Sequence, residues 1–550
     1  MLTVIKKIFL AFSKKERVLF LVALLTAAVS SVILSNIVLA NISTTLPARG
    51  GSYTEGVVGQ PSFINPVIAA TDTDKALVRL IFSPIGDLAS KIEREDSGGG
   101  WKIRLKDGLR WQDGTKLTAD DVVFTIQAIQ DPDSRSPLRQ SWQGVAVQRV
   151  SELELQFNLG APYAFFEDHV RRLSILPKHL FENIPVANWR ISNLNLEPVG
   201  NGPYQFESHQ VESQGFITSY RLKSNPAYSG EEAFISNFYV RFFSSKEDLL
   251  AAFNAGRVDG IPGIEAEDLK DLKRPYETSD FRLPNYYAAF FNASQNIALK
   301  EEAVRHALTL TVNREEMIAN IFDGQADSAR GPIPAVSPYF NPELENETSS
   351  LGRAAEMLDA AGWKLAENGT REKTIKNSTV KLEFSLTVPR ISFLLKTADA
   401  LRSAWGKLGA TVTVTEKSLD EITEGSIKNR DYQVLLFGNT LNAGFDLFPF
   451  WHSSERFYPG GNLSLYTDKE ADRLIEAIRQ NSDPASREAQ FRSVQTVIAN
   501  EYPALFLYSP YYIYVAGKNL KGVNPGFIAE PSERFLSIGE WHLKTRRVIK

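Results

Sequence analysis

The sequence from Trp101 to Phe124 reads WKIRLKDGLRWQDGTKLTADDVVF, and its second half carries a complete helix start. Thr118 stands immediately before Ala119 and can cap the first turn through its hydroxyl oxygen. Acidic residues at 120 and 121 follow, and acidic side chains are favourable at the positive end of a helix. The apolar periodicity continues to Gln130, so the spacing predicts a helix over residues 119–130.

Segments with strand and helix signals alternate on both sides of this stretch. Apolar runs indicate strands at residues 205–216, 218–223, 238–243, 380–387, 410–415 and 432–437. Helical periodicity is present at residues 119–130, 246–255, 300–321, 350–361, 391–408 and 468–480. Mixed strands and helices over about 500 residues predict α/β lobes rather than an all-α or all-β body.

Composition excludes several classes of protein. The chain has 550 residues, 23% of them charged and 43% hydrophobic, which is the balance of a soluble globular protein with large cores. Its net charge of -4 excludes a strongly basic nucleic-acid binder. Cysteine is absent, which excludes disulfides, thiolate metal sites, a cysteine nucleophile and a lipid-modified N-terminal cysteine.

The N-terminal region indicates where the chain goes. Residues 18–40 are almost wholly apolar and, as a helix, are long enough for a bilayer core of about 30 Å. Residues 1–17 carry five basic side chains against Glu16, so we expect them to stay in the cytoplasm as a short tail. We expect the rest of the chain to cross the membrane. Two interpretations of residues 18–40 remain open, an uncleaved transmembrane anchor or a signal peptide cleaved after Val38-Leu39-Ala40.

A search for catalytic motifs finds none of the common ones. The sequence has no phosphate-binding loop, no G-x-G-x-x-G, no G-x-S-x-G and no histidine pair at metalloprotease spacing. Aromatic residues cluster near Trp451 and Tyr508, where they suit either a buried core or a ligand cleft. The sequence thus gives no positive evidence for catalysis, which is weaker than evidence against it, and we expect no metal or other cofactor.

Residues 101–124 resemble the signature of the family-5 extracellular solute-binding proteins, the peptide and nickel receptors of ABC transporters. The residues that match it are Gly108, Trp111, Asp113, Gly114, Leu117, Thr118, Ala119, Asp121, Val122 and Phe124. Further segments resemble the family in the same order, at residues 53–56, 63–66, 200–204, 225–228, 252–259, 303–308, 331–334 and 502–508. The resemblance covers roughly residues 50–540. In the family the signature is a strand–turn–helix unit that we expect to be structural rather than ligand-binding.

The resemblance implies an α/β, two-lobed periplasmic-binding-protein-like fold of type II, in the large peptide-binding class with an extra subdomain. One N-terminal transmembrane helix precedes it. The implied divisions are a cytoplasmic tail 1–17, an anchor or signal segment 18–40, a linker 41–52, lobe I 53–280 plus 509–542 with a subdomain at about 77–189, and lobe II 281–508. Residues 81–100 are shorter than the family's usual insert, which affects the expected shape of the subdomain.

The resemblance also implies a set of substrate-binding residues between the lobes. They are Glu55, Val57, Tyr287, Gly438, Asn439, Asn442, Asp446, Trp451 and Tyr508. In peptide-binding members the backbone of the opening strand, here at Glu55 and Val57, pairs with an extended ligand. Those members hold the ligand's amino group with an Asp, but the corresponding position here is Asn442. A neutral amide binds an ammonium less strongly than a carboxylate does, and Asp446 four residues later is the alternative partner.

The function that the resemblance implies is a monomeric extracytoplasmic receptor without catalytic residues. It would capture oligopeptides or similar extended solutes by hinge closure and deliver them to the permease of an ABC transporter. We expect it on the outer face of a bacterial cell membrane, in the periplasm or at the cell surface, tethered by its N-terminal helix and without a nucleic-acid partner. Two other functions remain open, a membrane-tethered sensor subunit and a hydrolase with an unrecognised site.

Overall fold

The computed structural model describes residues 11–95, 99–344 and 347–549, except for the side chains of residues 36–42 and 549. The α-helices are α1 (Lys14–Ile42), α2 (Asp72–Ile81), α3 (Ile85–Leu88), α4 (Ala119–Gln130), α5 (Arg139–Trp142), α6 (Phe166–Arg172), α7 (Lys178–Phe181), α8 (Lys246–Asn254), α9 (Glu302–Leu310), α10 (Arg314–Phe322), α11 (Leu351–Ala360), α12 (Ser392–Leu408), α13 (Phe448–Trp451), α14 (Lys469–Gln480) and α15 (Pro484–Asn500). The strands are β1 (Ser43–Ala48), β2 (Ser52–Val58), β3 (Ala89–Arg94), β4 (Gly100–Leu105), β5 (Ala146–Arg149), β6 (Glu154–Asn158), β7 (Tyr204–Val211), β8 (Ile217–Ser224), β9 (Asn237–Phe243), β10 (Gly260–Ile264), β11 (Tyr276–Arg282), β12 (Asn285–Phe291), β13 (Ala326–Ser328), β14 (Lys364–Leu365), β15 (Arg371–Ile375), β16 (Ser378–Lys381), β17 (Glu383–Pro389), β18 (Thr411–Lys417), β19 (Val434–Thr440), β20 (Ala504–Gly517) and β21 (Lys544–Ile549).

Twelve strands form one large mixed sheet. Its order is β18-β17-β19-β12-β20-β10-β2-β9-β8-β7, with β11 and β13 also paired to β20. Strand β2 runs parallel to both β9 and β10, and β17 runs parallel to both β18 and β19. Because β12 pairs antiparallel with β19 and β20, the sheet mixes both directions. The expected α/β class is confirmed.

Strand β20 belongs to both halves of this sheet. Its first part pairs with β12, from Ala504 opposite Phe290 to Tyr508 opposite Tyr287. Its last part pairs with β11, from Tyr511 opposite Arg282 to Gly517 opposite Tyr276. Strand β13 extends the lobe II pairing from Tyr508 to Pro510, so the partner of β20 changes from lobe II to lobe I between Pro510 and Tyr511.

Residues 101–124 form β4, a turn and the start of α4. Strand β4 lies in a separate four-stranded sheet, ordered β3-β4-β6-β5, that belongs to the subdomain. The predicted cap at Thr118 is present as a capping box, in which the Thr118 amide donates to Asp121 Oδ2 at 2.8 Å. The indoles of Trp101 and Trp111 are buried beneath this unit.

Gly200 joins the subdomain to lobe I by a close approach of two backbones. The Gln112 amide donates to the Gly200 carbonyl at 2.9 Å, and the Gly202 amide donates to the Ile81 carbonyl at 2.7 Å. A Cβ at Gly200 would lie 2.0 Å from the Ile81 carbonyl oxygen. Only glycine fits there without displacing the end of α2.

The single helix predicted over residues 300–321 is wrong, because the structure has two helices there. Helix α9 ends at Leu310 and α10 begins at Arg314. Asn313 caps the second helix, and its side-chain oxygen accepts a hydrogen bond from the Glu316 amide at 3.1 Å. Asparagine can end one helix and begin another, because its side-chain oxygen accepts a hydrogen bond from a nearby backbone amide in place of a backbone carbonyl.

The predicted linker 41–52 is not an unpaired tether. Residues 43–48 form β1, which pairs antiparallel with β21 at the end of the chain, Ser43 lying opposite Ile549. The segment has the polar composition of a loop, and its pairing partner lies about 500 positions away, so the sequence gave no strand signal.

The strand predicted at 380–387 is also divided, with β16 and β17 in different sheets on either side of Leu382.

A buried ion pair holds the opening strand of lobe I to the end of the chain. Glu55 on β2 and Arg534 form a salt bridge in which their side chains are only 1% and 3% exposed. The Arg534 guanidinium also donates to the Pro531 carbonyl at 2.9 Å. Beside it, the buried hydroxyls of Tyr53 and Tyr514 lie 2.7 Å apart. Removing one charge from such a pair leaves the other buried and uncompensated.

We therefore expect Glu55→Gln to lower the free energy of unfolding by about 3–5 kcal/mol, because Arg534 keeps its charge in a buried site. Denaturant unfolding followed by circular dichroism measures the loss. The matched control is Glu277→Gln, whose ion pair with Lys521 has side chains 52% and 51% exposed. The control should lose less than about 1 kcal/mol, and equal losses in both variants would contradict a structural role for the buried pair.

Candidate functional site

A cavity of about 320 Å³ lies where lobe I, its subdomain and lobe II meet, and we call it the interlobe cavity. The segment 529–533 supplies its lobe I wall, α5 and α6 supply its subdomain wall, and α2, which leads from lobe I into the subdomain, lies between them. Asn442 and Ala443, in the loop after β19, supply the lobe II side. This volume is within the range of small-molecule sites in proteins.

The walls of the interlobe cavity carry two ion pairs. Lys75 on α2 lies 3.0 Å from Glu530, and Arg172 on α6 forms a salt bridge with Glu533. The remaining oxygens of both carboxylates are also used: Ser532 donates to Glu530 at 2.6 Å, and the Ala529 amide donates to Glu533 at 2.7 Å. Both carboxylates are therefore held by protein groups.

Arg79, also on α2, has a different environment from these paired residues. Its side chain is 15% exposed, and its nearest carboxylate is Asp87 at 4.0 Å. It donates no hydrogen bond to any residue that the structure describes. Burial lowers the pKa of Arg79, which still remains charged at neutral pH. Its guanidinium, whose one ion pair is the 4.0 Å contact with Asp87, therefore has N–H donors available to an acceptor from outside the chain.

Asp446 connects lobe II to the subdomain. Its Oδ2 accepts a hydrogen bond from the Tyr163 hydroxyl at 3.2 Å and lies 3.1 Å from Nε of Arg479. Its Oδ1 accepts from the Phe448 amide at 3.1 Å, and its own amide donates to Asn442 Oδ1 at 3.0 Å. Burial raises the pKa of Asp446, while Arg479 opposes that shift. Its carboxylate is already satisfied without a ligand.

Phe165 extends this contact between the subdomain and lobe II. Its ring is 2% exposed and packs within a lobe II core cluster that includes Phe491, at 6.3 Å between ring centroids. The neighbouring Ala164 amide donates to the Arg479 carbonyl at 2.7 Å. A Cβ added at Gly444 would lie 2.4 Å from the Phe165 ring, so the two lobes touch without a gap there.

A second cavity, of about 260 Å³, lies beside the β20 crossing, and we call it the hinge cavity. Residues 263–267 of lobe I face α10 and α12 of lobe II across it, and Glu267 forms a salt bridge with Lys396 between the lobes. The side-chain oxygens of Asn285 and Gln325 are buried in its wall and accept no hydrogen bond from the described residues. The hinge cavity therefore offers free hydrogen-bond acceptors, whereas the interlobe cavity is lined by positively charged side chains.

Three of the nine predicted site residues lie together at or behind the hinge cavity. Tyr287 lines it, and its ring centroid lies 5.8 Å from that of Tyr508. The Tyr508 hydroxyl is buried 2.6 Å from that of Thr397. Gly438 stands opposite Tyr287 on β19, where a Cβ would lie 2.7 Å from the tyrosine ring.

Two other predicted residues, Asn439 and Trp451, lie in the core of lobe II. The Asn439 amide and the Trp451 indole each donate to the Tyr286 hydroxyl at 2.9 Å. Both side chains are buried, and neither lines the two cavities. They support the loop that carries Asn442 rather than face a ligand in this arrangement.

Glu55 and Val57 lie on β2 within lobe I, away from Asn442 and Asp446. Strand β2 is paired with β9 along its whole length, and Glu55 is also bridged to Gly260 on the other side. Backbone pairing of a ligand at Glu55, expected from the resemblance, therefore has no room in this structure. Of the nine predicted residues, Asn442 alone lines the interlobe cavity, and Asp446 is buried behind it, where its amide donates to Asn442.

Sequence reasoning missed the cations of the interlobe cavity. Arg79 and Arg172 come from helices far apart in the sequence, and neither belongs to a recognised motif. One signal was available for Arg79, which interrupts the otherwise apolar run at residues 76–82. A charge within a buried helix face indicates either an ion pair or a site.

Comparison with known proteins identifies a matching family and relatives of the chain. The model described as bacterial extracellular solute-binding proteins, family 5 Middle, matches residues 83–457. The chain is 24% identical over 517 residues to the oligopeptide-binding protein AppA of Bacillus subtilis, covering 90% of this chain and 92% of that protein.

Solved structures show the same fold. The structure of Bacillus subtilis AppA in complex with a nonapeptide matches with a TM-score of 0.69 and 24% identity, covering 91% of this chain and 100% of that one. NikZ from Campylobacter jejuni in complex with Ni(L-His) matches with a TM-score of 0.71 and 24% identity, covering 89% and 99%. These matches confirm the expected periplasmic-binding-protein-like fold.

Phe165→Ala tests the contact between the subdomain and lobe II. Loss of a buried phenyl ring costs about 3–5 kcal/mol where the site cannot collapse, and here the ring joins two lobes. We expect the closed arrangement to lose population, so that the radius of gyration from small-angle X-ray scattering increases. Phe457→Ala, at a ring 62% exposed, is the control and should leave the radius unchanged. An unchanged radius for Phe165→Ala would show that the contact does not hold the lobes together.

Proposed function

The chain belongs to family 5 of the bacterial extracellular solute-binding proteins, and we propose that it delivers oligopeptides or similar extended solutes to an ABC transporter permease. The observation that carries this proposal is the interlobe cavity, whose walls come from lobe I, the subdomain and lobe II together. A solute that contacts all three walls is bound best when the lobes are closed. The peptide class is supported by the relatives whose names include oligopeptide or dipeptide binding.

The proposed mechanism is hinge closure about β20. Strand β20 and the connection between β11 and β12 are the places where the chain passes between the lobes. Rotation between Pro510 and Tyr511 and at residues 283–284 would open the interlobe cavity while leaving the pairing of β20 with β12 and β13 on one side and with β11 on the other intact. Closure would exclude water from the solute and present a surface that differs from the open form, which a permease can distinguish.

We propose a receptor role without catalysis. The carboxylates that line the interlobe cavity are engaged in ion pairs, and the ring of His169, which also lines it, forms no hydrogen bond with a nucleophile or an orienting carboxylate among the described residues. A general base needs a group that can accept a proton beside a reacting atom. The arrangement suits recognition of a solute rather than its conversion.

We propose that α1 anchors this receptor to the outer face of the membrane as a monomer, with residues 1–17 in the cytoplasm. The most apolar 18-residue window within residues 14–35 of α1 has a mean hydropathy of 2.5, and none of this window is buried against the rest of the described chain. Such a length and composition suit a membrane span, and the basic residues before it favour a cytoplasmic N-terminus.

Binding of a peptide pool tests the function. We expect full-length protein in detergent to retain peptides in native mass spectrometry, and its melting temperature to rise with a mixed tripeptide pool. Ligand at 100 times its Kd adds about 2.7 kcal/mol to the free energy of unfolding. The control is the same titration with a pool of free amino acids. Protein that carries no peptide and gains no stability from the pool would contradict the proposal.

A further inference from the structure

Arg79 is the charged group of the interlobe cavity that the described chain leaves without an acceptor. It belongs to α2, which packs against the segment 531–535, and its side chain is 15% exposed. Its nearest carboxylate, Asp87, lies 4.0 Å away and does not line the interlobe cavity. A guanidinium has five N–H donors, and a single 4.0 Å ion pair leaves most of those of Arg79 available to an anion.

The other charges of the cavity do not offer a competing site. Lys75 and Arg172 are neutralised by Glu530 and Glu533, and both carboxylates accept additional hydrogen bonds from the protein. Arg79 is therefore the most weakly paired of the three cations, because its only ion pair is the 4.0 Å contact with Asp87, which lies outside the cavity wall. A solute with a negative group at this end compensates the charge of Arg79.

The opposite end offers little to an ammonium group. Asn442 lines the cavity, but its side-chain oxygen accepts a hydrogen bond from the Asp446 amide at 3.0 Å. The Asp446 carboxylate is held by Tyr163 and Arg479. A ligand's amino group would have to break one of these contacts to gain a carboxylate partner.

We propose that the interlobe cavity binds peptides through a carboxylate held by Arg79, normally the C-terminal one, and does not require a free amino group. The inference rests on the proposed receptor function and specifies its substrate class. Arginine suits this role because its planar group binds a carboxylate through two parallel hydrogen bonds.

Chemically blocked peptides test the proposal by isothermal titration of the full-length protein. The probes are one mixed tripeptide pool in three forms: unmodified, N-acetylated and C-amidated. We expect amidation to weaken binding at least about tenfold, because it removes a charged hydrogen-bond acceptor. Acetylation should change the Kd less than about threefold. An amidated pool with one internal Asp per peptide shows whether a side-chain carboxylate substitutes for the C-terminal one.

Variants at position 79 separate recognition from folding. Arg79→Gln should bind the unmodified pool only as well as the amidated one, and Arg79→Lys should recover part of the difference. Arg473→Gln, at a side chain 64% exposed on α14, is the matched control and should behave as the parent protein. A structural role for Arg79 would weaken all three pools equally and would leave the effect of amidation in place.

The outcomes distinguish the two proposals. If no form of the pool binds, the peptide receptor function fails and the inference falls with it. If peptides bind but acetylation rather than amidation abolishes binding, the receptor function stands and recognition through Arg79 is overturned.

A second inference comes from a different part of the molecule, the ribbon formed by β1 and β21. Strand β1 begins at Ser43, directly after α1 ends at Ile42, and β21 pairs along its full length. Arg547 lies opposite Thr45, and Arg546 opposite Leu46. Since a strand rises about 3.3 Å per residue, these cations lie roughly 10–15 Å from the end of the apolar helix.

The basic residues of β21 are exposed and uncompensated. Lys544, Arg546 and Arg547 are exposed, and none forms an ion pair with a residue that the structure describes. Strand β1 contains no acidic residue. We propose that this ribbon lies on anionic lipid headgroups at the outer face of the membrane that α1 spans. The inference rests on the proposed anchor, and its physical basis is the attraction of basic juxtamembrane segments to anionic lipid.

The absence of cysteine makes this inference testable by single-site labelling. Thr545→Cys carries a polarity-sensitive nitrobenzoxadiazole dye in full-length protein reconstituted in vesicles. We expect a blue shift in vesicles with 30% phosphatidylglycerol but not in pure phosphatidylcholine, and its loss with the triple variant Lys544→Gln, Arg546→Gln, Arg547→Gln. A dye at Ser208→Cys, on the exposed β7, is the control. Equal spectra in both lipids would overturn the inference.

A separate measurement tests the anchor on which the inference rests. If intact-mass measurement shows that the protein recovered from cells lacks residues 1–40, the anchor is contradicted.

Discussion

One strand hydrogen-bonded into both lobes is the constraint on which the rest of the structure depends. The fourteen residues of β20 pair with β12 on the lobe II side and with β11 on the lobe I side. Strand β13 of lobe II continues the pairing through Ser509 and Pro510, so the change of partner falls between Pro510 and Tyr511, and a rotation there moves the lobes without separating them. The interlobe cavity, the hinge cavity and the contact at Phe165 all lie on the surfaces that such a rotation brings together. Closure that buries Phe165 also removes water from Arg79, so an anionic solute and the closed form stabilise each other.

Local signals in the sequence predicted much of the fold. The cap at Thr118 and the helix that follows it are short-range features, and the structure has both. Gly200 also lies within a segment that resembles the family, and the close approach of the Ile81 backbone requires glycine at that position. The ribbon at residues 43–48 could not be predicted, because its partner is at the other end of the chain and its composition is that of a loop. The break at Asn313 was missed because apolar periodicity continues across it, although a helix-capping residue was present.

The candidate site was less accessible from sequence, for a physical reason. The resemblance led to Asn442, and the structure places that residue at the interlobe cavity. It also led to Trp451 and Glu55, which are buried in the cores of their lobes. Aromatic residues in a core and in a cleft have the same sequence pattern. Whether a charge such as Arg79 has a partner depends on side chains brought together only by folding, so no local pattern distinguishes a bound cation from an unsatisfied one.

Peptide-dependent closure is the central claim, and single-molecule energy transfer between the subdomain and lobe II measures it most directly. The cysteine-free chain accepts a dye pair at Asp133→Cys in the subdomain and Ser482→Cys in lobe II, both at exposed positions. The account predicts a low-transfer population without peptide that converts to a high-transfer one as the tripeptide pool saturates the protein. Unchanged transfer at peptide concentrations where calorimetry shows full occupancy would contradict capture by closure.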